Sequence, residues 1–583
     1  MVGAIQVVWI VDVIAKQKIK LVTMSEEMNT QVVRLGESLL NAELMNQNQM
    51  EFALQKQAVT GERLGELLVR LGIVSEYDLA KHLATQTGIE FVDVDTVSKP
   101  NADILRMFNQ EYCLNRGFLP LFREGNELVV VIGNANIHDV KQAVTQRAGM
   151  NCKVKQGEFS KVLQAIRHNY FFIDNPVDKL FLKEVSKIDK DKDQVLSPDN
   201  LIHYLLHLAV LQRATDIHIQ PEPKSIHISF RVDGVLQPVF AIPTTLKRLV
   251  AAIKRHADMD ISDQLRPQDG SFSTNILSMP FDIRVSSLIS EYGENIVMRL
   301  LPSGMHVKGL NELGFFEEDL ATLNNMFVHP HGILLMTGPT GSGKSTTLHA
   351  GLRSKGMVGK NILTVEDPIE YKLPTICQTQ VNRKAGYDFS HAIRQFLRHD
   401  PDVMLVGEIR DAETAHAAIT AAETGHLVLS TLHVNSVLGV ISRLQALDVP
   451  VQMIADSLVG VVNQRLARQI CSHCKTTYQP SDEELIYFPQ ESKEITLYSG
   501  EGCSHCKGTG YFGRIPLYEI LYVDAELQEM IASNASRTEL MRKLESSNFK
   551  TIETMALQQV LQGNTTLEEV TRLLGNSLER IAP

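Results

Sequence analysis

The chain of 583 residues is too long for one hydrophobic core, so at least three domains are expected. Its hydrophobic content of 44% and charged content of 21% are typical of folded α/β domains and exclude a largely disordered chain. The net charge of −11 argues against a nucleic-acid-binding protein, because such proteins usually present a basic surface.

The N-terminal residues contain the most apolar stretch near either end of the chain. Residues 5–15 are short of the roughly 18 to 20 apolar residues of a membrane-spanning helix, and they include Asp12. Lysines follow this stretch, whereas a signal peptide carries its positive charges before it. Residues 1–29 are therefore an N-terminal extension. Two interpretations stay open: an ordinary strand or helix, or an upstream translation start before Met24, which we favour.

A gapless internal repeat follows the extension, and apolar residues at helical spacing predict a helical hairpin in each copy. Ten of the residues shared at one offset are Arg34, Leu35, Gly36, Leu54 and Gln57 in the first copy and Arg63, Leu64, Gly65, Leu83 and Gln86 in the second. Strand-like residues 90–94 and 127–132 then predict a small α/β domain. Together these segments form an N-terminal domain over residues 30–175.

Five further segments complete the predicted multidomain α/β chain. Residues 176–198 are charged and predict a solvated linker, and alternating strands over residues 199–305 predict a PAS-like α/β domain. Residues 306–465 alternate strands and helices as in a RecA-like parallel sheet. A cysteine-bearing subdomain over residues 466–515 and a C-terminal helical region over residues 516–583 follow.

A Gly-rich loop between an apolar strand, residues 332–336, and a helical pattern matches the P-loop motif. Its backbone N–H groups and the helix N-terminus favour phosphate, Lys344 would reach the β- and γ-phosphates, and Ser345 would hold Mg²⁺. The residues predicted to bind ATP and Mg²⁺ are Gly338, Pro339, Thr340, Gly341, Ser342, Gly343, Lys344, Ser345 and Thr346.

Acidic residues follow two other predicted strands. Glu408 ends the strand over residues 403–406 in a Walker B arrangement, which places a carboxylate near Mg²⁺ and the attacking water. Glu366 ends the strand over residues 361–365, where α/β sheets place their ligands, and one of the acids there is a candidate general base. A solvated acidic turn is the alternative. His426 and His433 flank a further strand and are candidate γ-phosphate sensors.

Two C-x-x-C pairs account for four of the seven cysteines. Four soft thiolates in two knuckles are typical of a closed tetrahedral Zn²⁺ site with a structural role. The cysteine pattern also indicates a reducing compartment. The predicted ligands are Cys471, Cys474, Cys503 and Cys506.

Residues 364–370, 400–411 and 424–433 resemble the Asp box, Walker B and His box of the secretion ATPase superfamily, the motors of type II secretion and type IV pilus assembly. Residues 231–234, 266–270 and 292–299 resemble the second N-terminal domain of that family, and the tetracysteine insertion also fits it. The resemblance extends from about Arg34 to the C-terminus.

The resemblance implies a homohexamer that binds ATP and Mg²⁺ and acts on an inner-membrane platform protein. It implies a cytoplasmic chain that is peripheral to the inner membrane through partners. Arginines of the preceding domain would complete the site, and Arg266 and Arg284 are the candidates. Ser271 stands where the family usually has arginine, so one arginine finger expected from the family is not present at that position. Residues 434–436 also depart from the usual Thr-Asn-Asp.

The duplicated unit resembles the N-terminal domain that binds cyclic di-GMP in mannose-sensitive haemagglutinin pilus ATPases. This resemblance implies that the ten shared residues bind the same ligand. Arg34 and Arg63 would contact guanine and phosphate, while the glycines would permit close backbone approach. The first copy departs from the pattern at Glu43, where the second has Gly72. A ligand-free helical adaptor that docks on a membrane-platform partner is the alternative.

We therefore expect an ATP hydrolase that powers type IV pilus assembly or type II secretion under the control of cyclic di-GMP. A nucleic-acid-dependent translocase or DNA-uptake motor is one alternative, and the acidic balance opposes it. A pilus retraction ATPase is another, but retraction members are shorter and lack the repeat and the tetracysteine insertion. A cyclic di-GMP receptor with a vestigial ATPase is opposed by the intact acids. The sequence does not separate assembly from secretion.

Overall fold

The computed structural model describes residues 35–97, 100–190, 197–302, 308–354, 357, 359–373, 376–488, 495–547, 549–575 and 578. These residues fall into two compact units, which meet in sequence between Gly88 and Ile89. No helix among the described residues is long and apolar enough to cross a membrane.

The first unit is a pair of helical hairpins, one in each copy of the repeat. The helices are α1 over residues 35–41, α2 Gln47–Thr60, α3 Leu64–Arg70 and α4 Glu76–Thr87. Asn46 and Ser75 occupy equivalent positions and cap α2 and α4 with their side chains. Leu39, Leu67 and Leu68 form the centre of one buried cluster, so the two hairpins share a core.

The second unit begins with a three-stranded sheet covered by helices. Its elements are α5 Ala102–Leu105, α6 Gln110–Arg116, β1 Phe118–Glu124, β2 Glu127–Ile132, α7 Ile137–Ala148, β3 Asn151–Gln156 and α8 Phe159–Asp174. Strand β2 lies in the centre, antiparallel to β1 and parallel to β3. Its residues after Glu127 are all buried, which explains the continuous apolar run in the sequence.

The predicted linker over residues 176–198 is wrong for most of its length. Residues Val177–Asp189 form helix α9, which packs on α10 Asp199–Leu211. Val177, Phe181 and Ile188 are buried in the core of the following domain. Apart from buried Glu184, the charged residues between them lie on the outer face of an amphipathic helix, and their density concealed the helical spacing of the apolar residues.

The next domain is built on a six-stranded antiparallel sheet in the order β6-β5-β4-β9-β8-β7. Its elements are β4 Ala214–Pro221, β5 Ser225–Val232, β6 Val235–Pro243, α11 Arg248–His256, β7 Gln268–Ile276, β8 Met279–Ser290 and β9 Gly293–Pro302. One face of this sheet packs on α9, α10 and α11, and the other face carries polar side chains.

A seven-stranded sheet in the order β12-β11-β13-β14-β10-β15-β18 carries the P-loop. The strands are β10 Gly332–Thr337, β11 Ile362–Glu366, β12 Cys377–Gln380, β13 Val403–Val406, β14 Leu427–Leu432, β15 Leu458–Ile470 and β18 Tyr511–Tyr522. All pairs are parallel except β15 with β18. The helices are α12 Glu317–Phe327, α13 Lys344–Leu352, α14 Phe389–Phe396, α15 Ala412–Glu423, α16 Gly439–Gln445 and α17 Val451–Ser457. Buried clusters cover both faces, as in doubly wound folds.

The predicted boundaries of the cysteine-bearing subdomain are too wide. Strands β15 and β18 both belong to the P-loop sheet, so the insertion occupies only the residues between them. It contains β16 Lys475–Tyr478, α18 Asp482–Leu485 and β17 Leu497–Gly500. The predicted helical region after residue 516 therefore starts with a strand. The helices after that strand are α19 Ala525–Ala532, α20 Arg537–Glu545, α21 Ile552–Leu561 and α22 Leu567–Leu574.

Candidate functional site

The P-loop turns tightly between β10 and α13. Gly338, Gly341 and Gly343 have φ angles of 132°, 78° and 88°, a region that side chains disfavour. A Cβ atom on Gly338 would come within 2.3 Å of the Gln464 carbonyl oxygen. Gly338 and Gly343 therefore allow the loop to lie close against β15.

Lys344 is buried at the start of α13. Its Nζ donates to the carbonyl oxygens of Gly338 and Pro339 at 2.8 and 2.9 Å. Burial and the charge of Arg465 lower the pKa of Lys344, while Glu408 acts in the opposite direction. A phosphate in the loop would offer the ammonium group an anionic acceptor in place of the carbonyl groups.

Gln464 fastens the P-loop to β15. Its Nε2 donates to the carbonyl oxygen of Ser342 at 2.7 Å, and its Oε1 accepts from Oγ1 of Thr347 at 3.0 Å. Its side chain bridges the loop and the first turns of α13, and the residue is 2% exposed. Sequence reasoning missed Gln464, because nothing in its own strand marks it as a neighbour of the P-loop.

Glu366 ends β11 as predicted and is buried. Its Oε1 accepts from Oγ1 of Thr364 at 2.7 Å and from Nε2 of Gln378 at 3.0 Å, while Nε2 of His349 lies 3.1 Å from Oε2. Burial raises the pKa of Glu366, but these hydrogen bonds and the His349 charge outweigh it, so the pKa is lowered. The carboxylate is therefore held ionised beside the P-loop helix. The interpretation of Glu366 as part of a solvated acidic turn is wrong, because a buried network surrounds it.

Glu408 and His433 meet at the same edge of the sheet. Strands β11, β13 and β14 are parallel neighbours, so the residues that follow them lie side by side. Nε2 of His433 lies 3.3 Å from Oε2 of Glu408, and Nε of Arg410 lies 2.6 Å from the same oxygen. His433 and Arg410 are about half exposed or more, so they face the open side of the site.

His426 does not join this group. It precedes β14, whereas His433 follows it, so the two histidines lie at opposite ends of a buried strand. Nδ1 of His426 is 2.9 Å from the carbonyl oxygen of Ala421, and the His426 carbonyl accepts from the N–H of Gly332. The structure gives His426 contacts at the end of α15 and the start of β10, away from the P-loop.

Arg284 lies on β8 of the six-stranded domain, in electrostatic range of acids that follow β11. Burial lowers its pKa, and the charges of Glu370 and Asp367, which follow β11, act against that effect. Arg284 therefore lies within electrostatic range of the segment that carries Glu366. Arg266 does not: its side chain is 84% exposed, and its Nε lies 3.8 Å from Asp263 in the same loop.

Arg284 belongs to a row of charged residues across the sheet. Register pairs connect Arg231 on β5, Asp216 on β4, Arg299 on β9, Arg284 on β8 and Ser271 on β7. Neighbours in such a row share one face of the sheet. Asp216 is buried and accepts from Nε of Arg299 at 2.8 Å. Ser271, where the resemblance implies an arginine, thus occupies the end of the row beside Arg284.

The four predicted metal ligands converge in the insertion, with all Sγ atoms within 4.8 Å of one another. Sγ separations are 3.9 Å for Cys471 and Cys503, 3.8 Å for Cys474 and Cys506, and 3.7 Å for Cys503 and Cys506. A tetrahedral ion with metal–sulfur bonds of about 2.3 Å requires edges of about 3.8 Å, so these residues fit Zn²⁺.

Backbone groups also support a thiolate at Cys506. Burial raises the pKa of its thiol, but the N–H groups of Cys503 and Gly510 donate to the sulfur, and the pKa falls to about 6. Burial raises the pKa of Cys474 to about 12. A cation at the centre of the four sulfurs would lower the pKa of every thiol that it binds.

The two copies of the repeat are equivalent in their local geometry. Gly36 lies against Met50, and Gly65 lies against Leu79 at the same offset. Glu43 has a φ angle of 54° and Gly72 one of 70°, so the substitution in the first copy keeps the turn. Of the ten shared residues, Leu64 is buried, Leu35, Leu54 and Leu83 are partly buried, and Arg63 and Gln86 are exposed. Arg34 lies outside the described residues.

Comparison with known proteins agrees with this geometry. The family model described as type II/IV secretion system protein matches residues 190–572, and the MshEN domain model matches residues 87–171. The first of these matches covers more than half of the chain. The chain belongs to the type II/IV secretion system protein family.

Three relatives of this secretion ATPase illustrate the match. The type IV pilus assembly ATPase PilB of Thermus thermophilus is 36% identical over 88% of this chain and 59% of its own length. PilB of Pseudomonas aeruginosa is 34% identical over 93% of this chain and 99% of its own length. The type II secretion system ATPase E of Vibrio cholerae is 42% identical over 68% of this chain and 80% of its own length. With its intact P-loop, this chain is an ATP hydrolase of the family.

Proposed function

We propose that this secretion ATPase works as a homohexamer and powers type IV pilus assembly or type II protein secretion. The observation that carries the proposal is that Lys344, Glu366 and Glu408 belong to one domain around the P-loop, with Arg284 of the preceding domain in electrostatic range of the acids that follow β11. A change in the angle between the two domains would then accompany ATP binding and hydrolysis. The moving domains would act on an inner-membrane platform protein, so the chain would be cytoplasmic and peripheral to that membrane.

We assign roles to the site residues from their positions. The P-loop N–H groups and Lys344 would hold the phosphates of ATP, and Ser345 would hold Mg²⁺, which neutralises phosphate charge when bound. Glu408, with His433 beside it, would orient the attacking water, and Glu366 would act as the general base. Arg284 would stabilise negative charge that develops on the γ-phosphate.

The two histidines provide a matched test of this assignment. We expect Lys344→Ala and Glu408→Gln to abolish ATP hydrolysis by the purified full chain, measured as phosphate release. His433→Ala should lower kcat, whereas His426→Ala should leave it within about twofold of the parent chain, because His426 lies at the far end of β14. Hydrolysis that survives Lys344→Ala would refute the assignment, and stimulation by single-stranded DNA would favour the translocase alternative.

We further propose that cyclic di-GMP binds the repeat and regulates the motor. The MshEN match and the equivalent geometry of the two copies support this proposal, although the matched residues begin where the repeat ends. Exposed Arg63, with Arg34 in the other copy, would contact guanine and phosphate groups. Leu35, Leu54, Leu64 and Leu83 would supply the apolar surface.

Calorimetry on the full chain tests the ligand. We expect binding that is lost in Arg34→Ala plus Arg63→Ala, since each charge-assisted hydrogen bond contributes about 1.5–3 kcal/mol. Arg70→Ala is the control, because Arg70 is an exposed arginine of the same unit that pairs with Glu62. Absence of binding by the parent chain would leave the ATPase assignment intact and favour the adaptor alternative.

Two structural assignments complete the proposal. The four cysteines would hold one structural Zn²⁺, a role that leaves no open coordination position. Apart from the linker and the bounds of the insertion, the predicted domain division stays a proposal, with residues 199–305 as a PAS-like domain. The acidic net charge of −11 gives no support to a nucleic-acid partner.

A further inference from the structure

His349 connects the P-loop helix to the acid that follows β11. It lies on α13 four residues after Ser345, and its Nδ1 is 2.7 Å from the Ser345 carbonyl oxygen. Its Nε2 is 3.1 Å from Oε2 of Glu366, and the side chains of His349 and Glu366 are only 2% and 6% exposed. The imidazole therefore bridges the backbone of a P-loop residue and a catalytic candidate without solvent between them.

The two oxygens that face the imidazole restrict its role. A backbone carbonyl oxygen only accepts hydrogen bonds, and so does an ionised carboxylate, so both ring nitrogens of His349 donate. Oε1 of Glu366 already accepts from Thr364 and Gln378. Glu366 thus receives three donors from three different elements, and His349 is the one attached to the P-loop helix.

We propose that His349 is a positioning residue that fixes the Glu366 carboxylate relative to the P-loop. This inference rests on the proposed hydrolysis of ATP at the same site. Without His349, Oε2 of Glu366 would lose its donor while the group stays buried, so the carboxylate would turn away or become protonated. Both changes affect the hydrolysis step. ATP binding through the P-loop N–H groups would be preserved.

Steady-state kinetics of the full chain test the proposal. His349→Leu removes both donors at similar size, whereas His349→Gln keeps an N–H donor that can reach Glu366. We expect His349→Leu to lower kcat at least roughly tenfold with little change in KM, because a catalytic group displaced by about 1 Å can lose about a hundredfold in rate. His349→Gln should recover most of the lost kcat.

A double-mutant cycle with Glu366→Gln separates positioning from a structural role. If His349 acts through Glu366, adding His349→Gln or His349→Leu to Glu366→Gln lowers kcat no further. Additive losses, equal kcat for the Leu and Gln variants, or a KM that rises with unchanged kcat would each overturn the proposal. If His349→Leu does not fold, His349→Asn takes its place in the cycle, because the Asn amide reaches only as far as Nδ1 toward Ser345 and lacks the donor to Glu366. Lys344→Ala is the reference: if it retains hydrolysis, the proposed function fails, and if it abolishes hydrolysis, a negative result concerns His349 only.

Discussion

Gln464 offers a sharp test of how the P-loop is held. Replacing it with leucine keeps the volume of the side chain and removes its hydrogen bonds to Ser342 and Thr347. Because Gln464 is 2% exposed, water cannot replace those bonds without opening the strand from the loop. We expect Gln464→Leu to loosen the P-loop and weaken ATP binding.

The structure sets the size of the effect. A buried group left without its partner costs about 1–3 kcal/mol, and the two groups here both belong to the phosphate-binding segment. If the binding free energy of ATP becomes less favourable by that 1–3 kcal/mol, the Kd for ATP rises about fivefold to about 150-fold. Gln464→Glu should weaken binding at least as much, because it keeps the acceptor for Thr347 but buries a negative charge against the carbonyl oxygen of Ser342 and beside the phosphate site.

Binding of a fluorescent ATP analogue at fixed Mg²⁺ concentration is the assay. Gln469→Leu is the matched control, since Gln469 lies on the same strand and is exposed. Thermal unfolding of each variant without nucleotide shows whether the fold is preserved. A Kd for Gln464→Leu within twofold of that of the parent chain would refute the role of Gln464 in holding the loop.

Three further predictions follow from contacts elsewhere in the chain. Removing the metal with a chelator, or introducing Cys474→Ser, should lower both the Tm and the zinc content, and a chain purified without any bound zinc would contradict the metal assignment. Asp216→Asn should lower the free energy of unfolding by about 1–2 kcal/mol, because it removes the buried charge that pairs with Arg299. The 57% exposure of the Arg299 side chain keeps the loss small, and an unchanged Tm would contradict the prediction. Gly351→Ala should lower the Tm despite alanine's helix preference, because its Cβ would lie 2.2–2.5 Å from ring atoms of buried Phe327, at a cost of about 1–3 kcal/mol. Phe327→Leu in the same chain should recover part of that loss.

Elements with a strong local signal could be predicted from the sequence. The P-loop, Glu366 and Glu408 each follow an apolar strand, and a parallel sheet necessarily brings the ends of such strands together. The paired cysteines carry the spacing of a metal site in the sequence itself. The repeat was visible because identical residues of its two copies recur at one offset without gaps.

The pattern of residue types was misleading in helix α9, where charged and apolar residues alternate and the charged ones suggested a linker. Residues 187–193 suggested a solvated linker, although Val177, Phe181 and Ile188 had the spacing of a buried helical stripe. The outer strand β18 was assigned to a helical region, because its pairing partner β15 lies on the other side of the insertion. A boundary that depends on a distant partner has no local signal.

The sequence by itself determined the chemistry of the site, because the glycines and Lys344 have the spacing of a phosphate-binding loop and the acids end apolar strands beside it. Tertiary structure alone decided which side chains support that chemistry. It brought His433 to Glu408 and left His426 at the far end of β14, although the two look alike in the sequence. It also placed His349 and Gln464 around the P-loop, since hydrogen-bond partners across a sheet depend on strand order and register, which no local pattern encodes.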